Sequence, residues 1–279
     1  MPMKISKGVQ YMLIAAFVFS LMKVCIKQVS HIPAVEVIMF RSVISLVLSG
    51  FFLYRQKVSF WGNNKKVLIM RGASGAVALV MFFSLVQQIP LAAAASMQYL
   101  SPVFAAILGV FIVKEKVSWK QYLYFAISFA GVLVIQGVDS RISGLHLAMG
   151  LGASFFAGLA YNFVRKLKTT EHPLVIILYF PLVTLPMAIV ASYFVWEMPV
   201  GSDWFYLLLV GVFTQIAQYY LTRSYQLEEI SKVSIINYTG LLYSIAFGFL
   251  LFGETYSWMS YIGMLLIVIG VVLNVRGRG

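Results

Sequence analysis

The sequence predicts an all-α integral membrane protein with ten transmembrane helices, arranged as two inverted five-helix repeats with the N and C termini both cytoplasmic. Three observations carry that expectation. The composition is too apolar for a soluble domain, the apolar residues fall into ten stretches, and the second half of the chain repeats the first at a fixed offset.

The 279 residues are 61% hydrophobic and 11% charged, with a mean hydropathy of +0.90. A soluble domain has about a quarter of its residues charged. A spanning helix takes about 20 apolar residues, so ten of them consume about 200 and leave about 8 for each loop or tail. No soluble domain fits beside them.

The stretches lie near residues 8–28, 34–53, 67–88, 92–113, 119–137, 144–164, 174–195, 204–225, 231–252 and 257–275. The first follows Lys4 and Lys7, but its run is too long for a signal-peptide h-region and no small-residue cleavage site follows. His31-Ile32-Pro33, Trp61-Gly62-Asn63-Asn64 and Gln88-Ile89-Pro90 separate the first four stretches. The fourth closes at Lys114-Glu115, and Ser118 opens a capping box with Gln121 that starts the fifth. Asp139-Ser140-Arg141, Glu171-His172-Pro173 and Pro199-Val200-Gly201 precede the sixth, seventh and eighth, and Glu254 stands between the last two.

The formal charge of +12 is spread over the short connections, with no basic arm or patch for nucleic acid. Lys and Arg beside membrane spans are retained on the cytoplasmic side. With the N-terminus inside, one set of faces holds Lys4, Lys7, Arg55, Lys57, Lys65, Lys66, Lys114, Lys116, Lys120, Arg165, Lys166, Lys168, Lys232, Arg276 and Arg278; the other holds Lys27 and Arg141. Both termini are therefore expected in the cytoplasm, which also requires an even number of helices.

Glu115, Ser118, Trp119 and Tyr122 recur as Glu254, Ser257, Trp258 and Tyr261, each 139 residues later. The same offset pairs Gly72 with Gly211, Gln87 with Gln226, Tyr99 with Tyr238, and Gly131-Val132 with Gly270-Val271. The chain thus divides into residues 1–139 and 140–279. Five helices are an odd number, so the second copy enters the membrane from the opposite side. The charges agree, since Lys114, Lys116 and Lys120 become Gly253, Thr255 and Met259. Inverted repeats place a substrate site near the bilayer midplane, and rocking of one bundle on the other gives alternating access.

Arg41 in Val35-Glu36-Val37-Ile38-Met39-Phe40-Arg41, Arg71-Gly72, Ser101-Pro102-Val103-Phe104, Lys114-Glu115 and Gly131-Val132 give the chain its likeness to a known family. Over essentially its whole length it resembles the drug/metabolite transporter superfamily, in its ten-helix EamA-type branch. The resemblance implies a bacterial inner-membrane carrier for small metabolites, with a central cavity lined by helices of both halves. Members carry amino acids, nucleoside-like compounds, sulfonium metabolites and drugs, so the resemblance implies no single substrate.

Arg41 is the first candidate for the site. Counted from Pro33 it lies about 12 Å along its helix at 1.5 Å per residue. A charge at that depth costs about 3 kcal/mol unless a cavity or a partner receives it. It is read as a cation attracting a carboxylate or phosphate, with a backbone-tying role as the competing reading. Lys23, Arg71 and Arg223 lie nearer helix ends, where snorkelling competes; they are candidate gate cations.

Polar stripes mark the interior. Gly211, Thr214, Gln215, Gln218 and Thr222 share one helix face, as do Ser234, Asn237, Tyr238, Leu241, Ser244 and Gly248, and likewise Ser96, Tyr99, Pro102, Ala106 and Gly109. Small residues there can serve helix packing alone. Gln98, Tyr99, Gln215, Gln218, Asn237 and Tyr238 are larger than packing needs and are read as substrate-binding, joined by Tyr161 and Asn162. Pro102, Pro181 and Pro186 are expected to kink their helices.

Nine acids, three histidines and one cysteine offer no catalytic or metal cluster. No cofactor is expected, and a phosphate-binding Gly-x-x-x-x-Gly-Lys-Ser/Thr loop is absent. The reading is a secondary carrier for an amino acid, a nucleoside-like compound, a sulfonium metabolite or another carboxylate-bearing or zwitterionic solute, working by facilitated diffusion or exchange. The alternatives are a membrane-embedded enzyme on lipid-linked substrates and a proton-coupled exporter. The first would need a nucleophile beside His31, His146 or His172. The second lacks a carboxylate in the central part of any helix. The expected partners are a small-molecule substrate and the lipid bilayer, with monomer and homodimer both open.

Overall fold

In the computed structural model, residues 6–112, 119–227 and 236–276 are described, and every regular element among them is helical. The helices are α1 (Lys7–Gln28), α2 (Ala34–Arg55), α3 (Lys65–Gln88), α4 (Leu91–Gln98), α5 (Ser101–Ile112), α6 (Trp119–Val138), α7 (Gly144–Leu167), α8 (Pro173–Tyr193), α9 (Asp203–Leu227), α10 (Thr239–Phe252) and α11 (Trp258–Arg276). Glu115, Ser118, Lys114, Lys116, Lys232 and Ser234 fall outside the described residues. Seven segments are long and apolar enough to cross a bilayer, with α4 and α5 counting as one, Leu91–Ile112. Three shorter apolar helices, Tyr122–Ile135, Thr239–Phe252 and Trp258–Gly270, complete the ten.

Local chemistry sets the helix ends. The orphan N–H groups at a helix start need side-chain acceptors. Ser6 Oγ accepts from the Val9 N–H, Asn64 Oδ1 accepts from the Val67 N–H, and Ser143 and His146 form a reciprocal capping box. Pro173 opens α8, where its missing N–H costs nothing. α10 ends on Gly253 at φ +61°, the left-handed conformation that glycine adopts without strain. The loss of Lys114 at this repeat position therefore has a backbone reason as well as a topological one.

The fourth apolar stretch is broken rather than bent. Pro102 has no N–H for the Gln98 carbonyl, and Ser101 Oγ donates to that carbonyl instead at 2.5 Å. The helix stops at Gln98 and restarts at Ser101. At the equivalent place in the second half the chain turns at Tyr238 before α10 begins, although no proline stands there. The two breaks meet: Tyr99 and Tyr238 pack edge to face with ring centres 4.9 Å apart, and Tyr99 Oη donates to the Asn237 carbonyl at 3.3 Å.

Between the halves, α1 packs on α9, α3 on α7, α2 on α8, α4 on α10 and α6 on α11. Close contacts come in pairs related by the 139-residue shift. A Cβ on Gly72 would meet Val183 Cβ at 2.7 Å, and one on Gly211 would meet Ile44 Cβ at 2.6 Å. A Cβ on Gly131 would meet the Gly263 carbonyl at 2.6 Å, and one on Gly270 the Tyr124 carbonyl at 2.7 Å. In each pair, adding 139 to the first-half residue of one contact gives the second-half residue of the other.

At one end of the bundle Glu254 joins the halves. Its carboxylate pairs with Lys27 of α1, and Oε2 accepts from the Leu91 N–H at 2.9 Å and from the Tyr256 hydroxyl at 2.6 Å. Beside it, Arg141 donates to Asp139 and to the Thr255 carbonyl. The Arg141 hydrogen bonds hold the Asp139 carboxyl below the usual carboxylate range, so this clamp stays charged. The outward faces of the bundle are apolar, with Val47, Phe51, Leu133, Val190 and Phe249 all exposed as lipid contact requires.

Gly131→Val is expected to overpack the α6–α11 contact and destabilise the protein by about 1–3 kcal/mol. The check is a lower melting temperature in detergent, with Gly144→Ala, where nothing lies within 4 Å, unchanged.

Candidate functional site

A narrow cleft with about 10 Å³ of free space, room for about one water molecule, lies between α2, α3, α8 and α9. Arg41 and Ser45 reach it from α2, Arg71 from α3, Ile177, Phe180 and Pro181 from α8, and Thr214, Gln215 and Gln218 from α9. Arg41 lies seven residues into α2 and Arg71 six into α3, which enters from the opposite end; at 1.5 Å per residue both sit about 10 Å inside.

Arg41 is 2% exposed. Its Nε donates to Thr214 Oγ1 at 3.1 Å, and the Thr214 hydroxyl donates a hydrogen bond to Met22 Sδ on α1 at 3.0 Å. This chain fixes the guanidinium across three helices while Nη1 keeps no hydrogen-bond partner among the described residues. Arg71 is half-buried, and its Nε and Nη1 likewise have none. The two cations share one aromatic ring, the Arg41 guanidinium carbon 4.9 Å and that of Arg71 4.3 Å from the Phe180 centre. They therefore stand no more than about 9 Å apart, where two unit charges at an effective dielectric of about 20 repel by about 2 kcal/mol. Cation–π attraction to Phe180 offsets part of this, about 0.5–2 kcal/mol per cation.

The cavity also presents neutral polar groups. Gln215 Nε2 donates to Ser49 Oγ at 3.0 Å, leaving Oε1 without a partner among the described residues. Pro181, which also lines the cavity, has no N–H to give the Ile177 carbonyl, so the usual helix bond is missing there. Buried polar groups are ordinarily satisfied, and orphans of this kind concentrate where a ligand or water belongs.

Of the residues singled out in the sequence, Arg41, Gln215, Gln218 and Pro181 meet at this cavity. Arg71, read as a gate cation near a helix end, joins them. Phe180, which stands 139 residues after Arg41, was not anticipated.

A second polar group forms around the helix breaks. Lys23, expected to snorkel, is buried at 3% exposure and donates to Ser244 Oγ of α10 at 2.8 Å, because α1 packs against α10 there. Tyr99, Asn237 and Tyr238 belong to this group, and half-buried Gln98 lies just before the first break. Tyr161 on α7 lies within electrostatic range of both Arg71 and Tyr99.

The remaining residues lie elsewhere. Asn162 donates to the carbonyls of Ala105 at 2.9 Å and Gly158 at 3.0 Å, clamping α7 to α5. Arg223 is exposed near the C-terminal end of α9, and Pro186 is exposed on α8. Among the described residues no cluster of His, Cys, Asp or Glu could hold a metal ion.

Apolar helices around a polar, cation-bearing interior define a membrane transporter. The chain belongs to the EamA-like transporter family, whose model matches residues 6–137 and again residues 144–276. It is similar to the pseudopaline exporter CntI of Pseudomonas aeruginosa, 28% identical over 277 residues and 98% of each chain. It is also similar to solute carrier family 35 member G1 of Homo sapiens, 28% identical over 280 residues, covering 94% of this chain and 76% of that one. A solved crystal structure matches 95% of both chains with a TM-score of 0.70 at 17% identity, a likeness of fold.

Because its side chain is bonded to backbone carbonyls of α5 and α7, Asn162→Leu is expected to lower stability by about 1–3 kcal/mol. Transport by the fraction that folds should be unchanged; a thermal melt beside an uptake assay separates the two effects.

Proposed function

We propose that this transporter is a secondary carrier for a small carboxylate-bearing or zwitterionic metabolite, held at the Arg41–Arg71 cavity and moved by alternating access. The observation that carries the reading is the pair of cations on Phe180, with guanidinium N–H groups that no described residue accepts. A buried cation without an acceptor is costly in a membrane interior, and a ligand carboxylate supplies the acceptor in charge-assisted form.

Residues 1–139 and 140–279 act as the two rocking units in this proposal, as inverted repeats. The paired contacts related by 139 residues and the two successive family matches support it. The helix breaks at Tyr99 and Tyr238 supply the discontinuous segments that such carriers place at the repeat interface. With no carboxylate in the described cavity, transport runs by facilitated diffusion or exchange. The Lys and Arg distribution supports an orientation with both termini cytoplasmic, and the bacterial inner membrane is the location that the family resemblance implies.

The test is counterflow of labelled organic and amino acids into proteoliposomes. Arg41→Ala is expected to lose at least tenfold in rate, with Arg41→Lys partly restoring it. An Arg41→Ala protein that folds and transports at the wild-type rate would remove Arg41 from the site. Activity reporters fused to either terminus are expected to report a cytoplasmic location; an external signal from either would overturn the orientation.

A further inference from the structure

We propose that the cavity selects a divalent anion, a dicarboxylate or a phosphate, over monocarboxylates and zwitterions. The inference rests on the carrier reading above and narrows it to a charge class.

The first ground is the number and placement of the cations. Arg41 and Arg71 come from separate helices that enter from opposite ends, yet their guanidinium carbons lie 4.9 and 4.3 Å from one ring centre. Each keeps a buried N–H-bearing nitrogen with no partner among the described residues, and Arg71 keeps two. A monoanion that satisfies one guanidinium leaves the other uncompensated in a low-dielectric site, whereas a divalent anion neutralises both.

The second ground is the whereabouts of every described carboxylate. Glu36 accepts from the Glu197 N–H, Asp139 is paired with Arg141, Glu171 accepts from the Asn64 N–H, Asp203 is bonded to His31, and Glu254 is paired with Lys27. Glu197 is exposed in the connection between α8 and α9. None lines the cavity. The ammonium of an amino acid would enter a field of two cations with only neutral acceptors, among them the Gln215 amide oxygen and the Ser45 hydroxyl, to receive it. Those acceptors suit a hydroxyl or a protonated oxygen better than a third positive charge.

The test uses the purified full-length protein and four probes at matched ionic strength: succinate, inorganic phosphate, acetate and L-alanine. Binding is read by calorimetry and by thermal stabilisation, which rises with the logarithm of ligand excess over Kd. Succinate or phosphate is expected to bind at least tenfold more tightly than acetate and alanine, and which of the two does so distinguishes a dicarboxylate site from a phosphate site. Arg71→Gln should bring the divalent probe down to the affinity of acetate. Arg41→Gln should do the same, and Arg41→Lys should keep the preference. Arg141→Gln, a change outside the cavity, should leave it intact. Should Arg41→Gln fail to fold, Arg71→Gln decides alone, since the buried nitrogens of Arg71 support no described neighbour.

Equal binding of acetate and succinate, tighter binding of alanine, no binding of either divalent probe, or an Arg71→Gln protein with unchanged succinate and phosphate affinity would each overturn the proposal. If the protein transports alanine in an Arg41-dependent way, the carrier reading stands and the charge class falls. If succinate binds through both arginines but never crosses the proteoliposome membrane, the charge class stands and the carrier reading falls.

Discussion

A charged side chain inside a bilayer has to find an opposite charge, a set of dipoles or a water-lined space, because hydrocarbon offers none of them. The interior of this protein is organised by that requirement. Lys23 meets the Ser244 hydroxyl, Lys27 the Glu254 carboxylate, and Arg41 the Thr214 hydroxyl and the face of Phe180. Each solution uses a partner from the other half of the chain, so the same contacts that relieve charge also hold the halves in register. The glycine contacts between α6 and α11, and those of α3 and α9 with α8 and α2, bring backbones close enough for this to work.

Polar matter is distributed unevenly along the bundle axis. The end that carries Glu254 is closed by a network of hydrogen bonds and ion pairs in which each oxygen of the carboxylate has a donor. The cavity is the opposite case, where guanidinium nitrogens, an amide oxygen and the Ser45 hydroxyl are left over. A fully satisfied network rigidifies its surroundings, and an unpaired buried polar group is costly. On the proposed function, the first region seals the bundle and the second recognises the solute.

Much of the architecture was legible from the residues themselves. Composition sets the class, short polar punctuation sets the spans, and the 139-residue offset pairs Tyr99 with Tyr238 and Gly131 with Gly270. Arg41 could be placed because depth along a helix is a matter of counting. Arg71 and Lys23 resisted the same treatment, since counting gives distance from a helix end but not which way the side chain turns, and both turned inward. Tyr99 and Tyr238 read as members of continuous polar stripes, whereas each marks a break. The first break has a proline to announce it and the second has none. Phe180 lay hidden in an apolar run, where one aromatic looks like any other.

The placement of Phe180 has a mechanical meaning. Both arginines ride on helices of the first half, while the ring beneath them belongs to the second, together with Thr214 and the two glutamines. In the proposed carrier, a rotation between the halves would slide two cations across one quadrupole and alter the Arg41–Thr214 distance in the same stroke, so the electrostatic strength of the site would follow the angle between them.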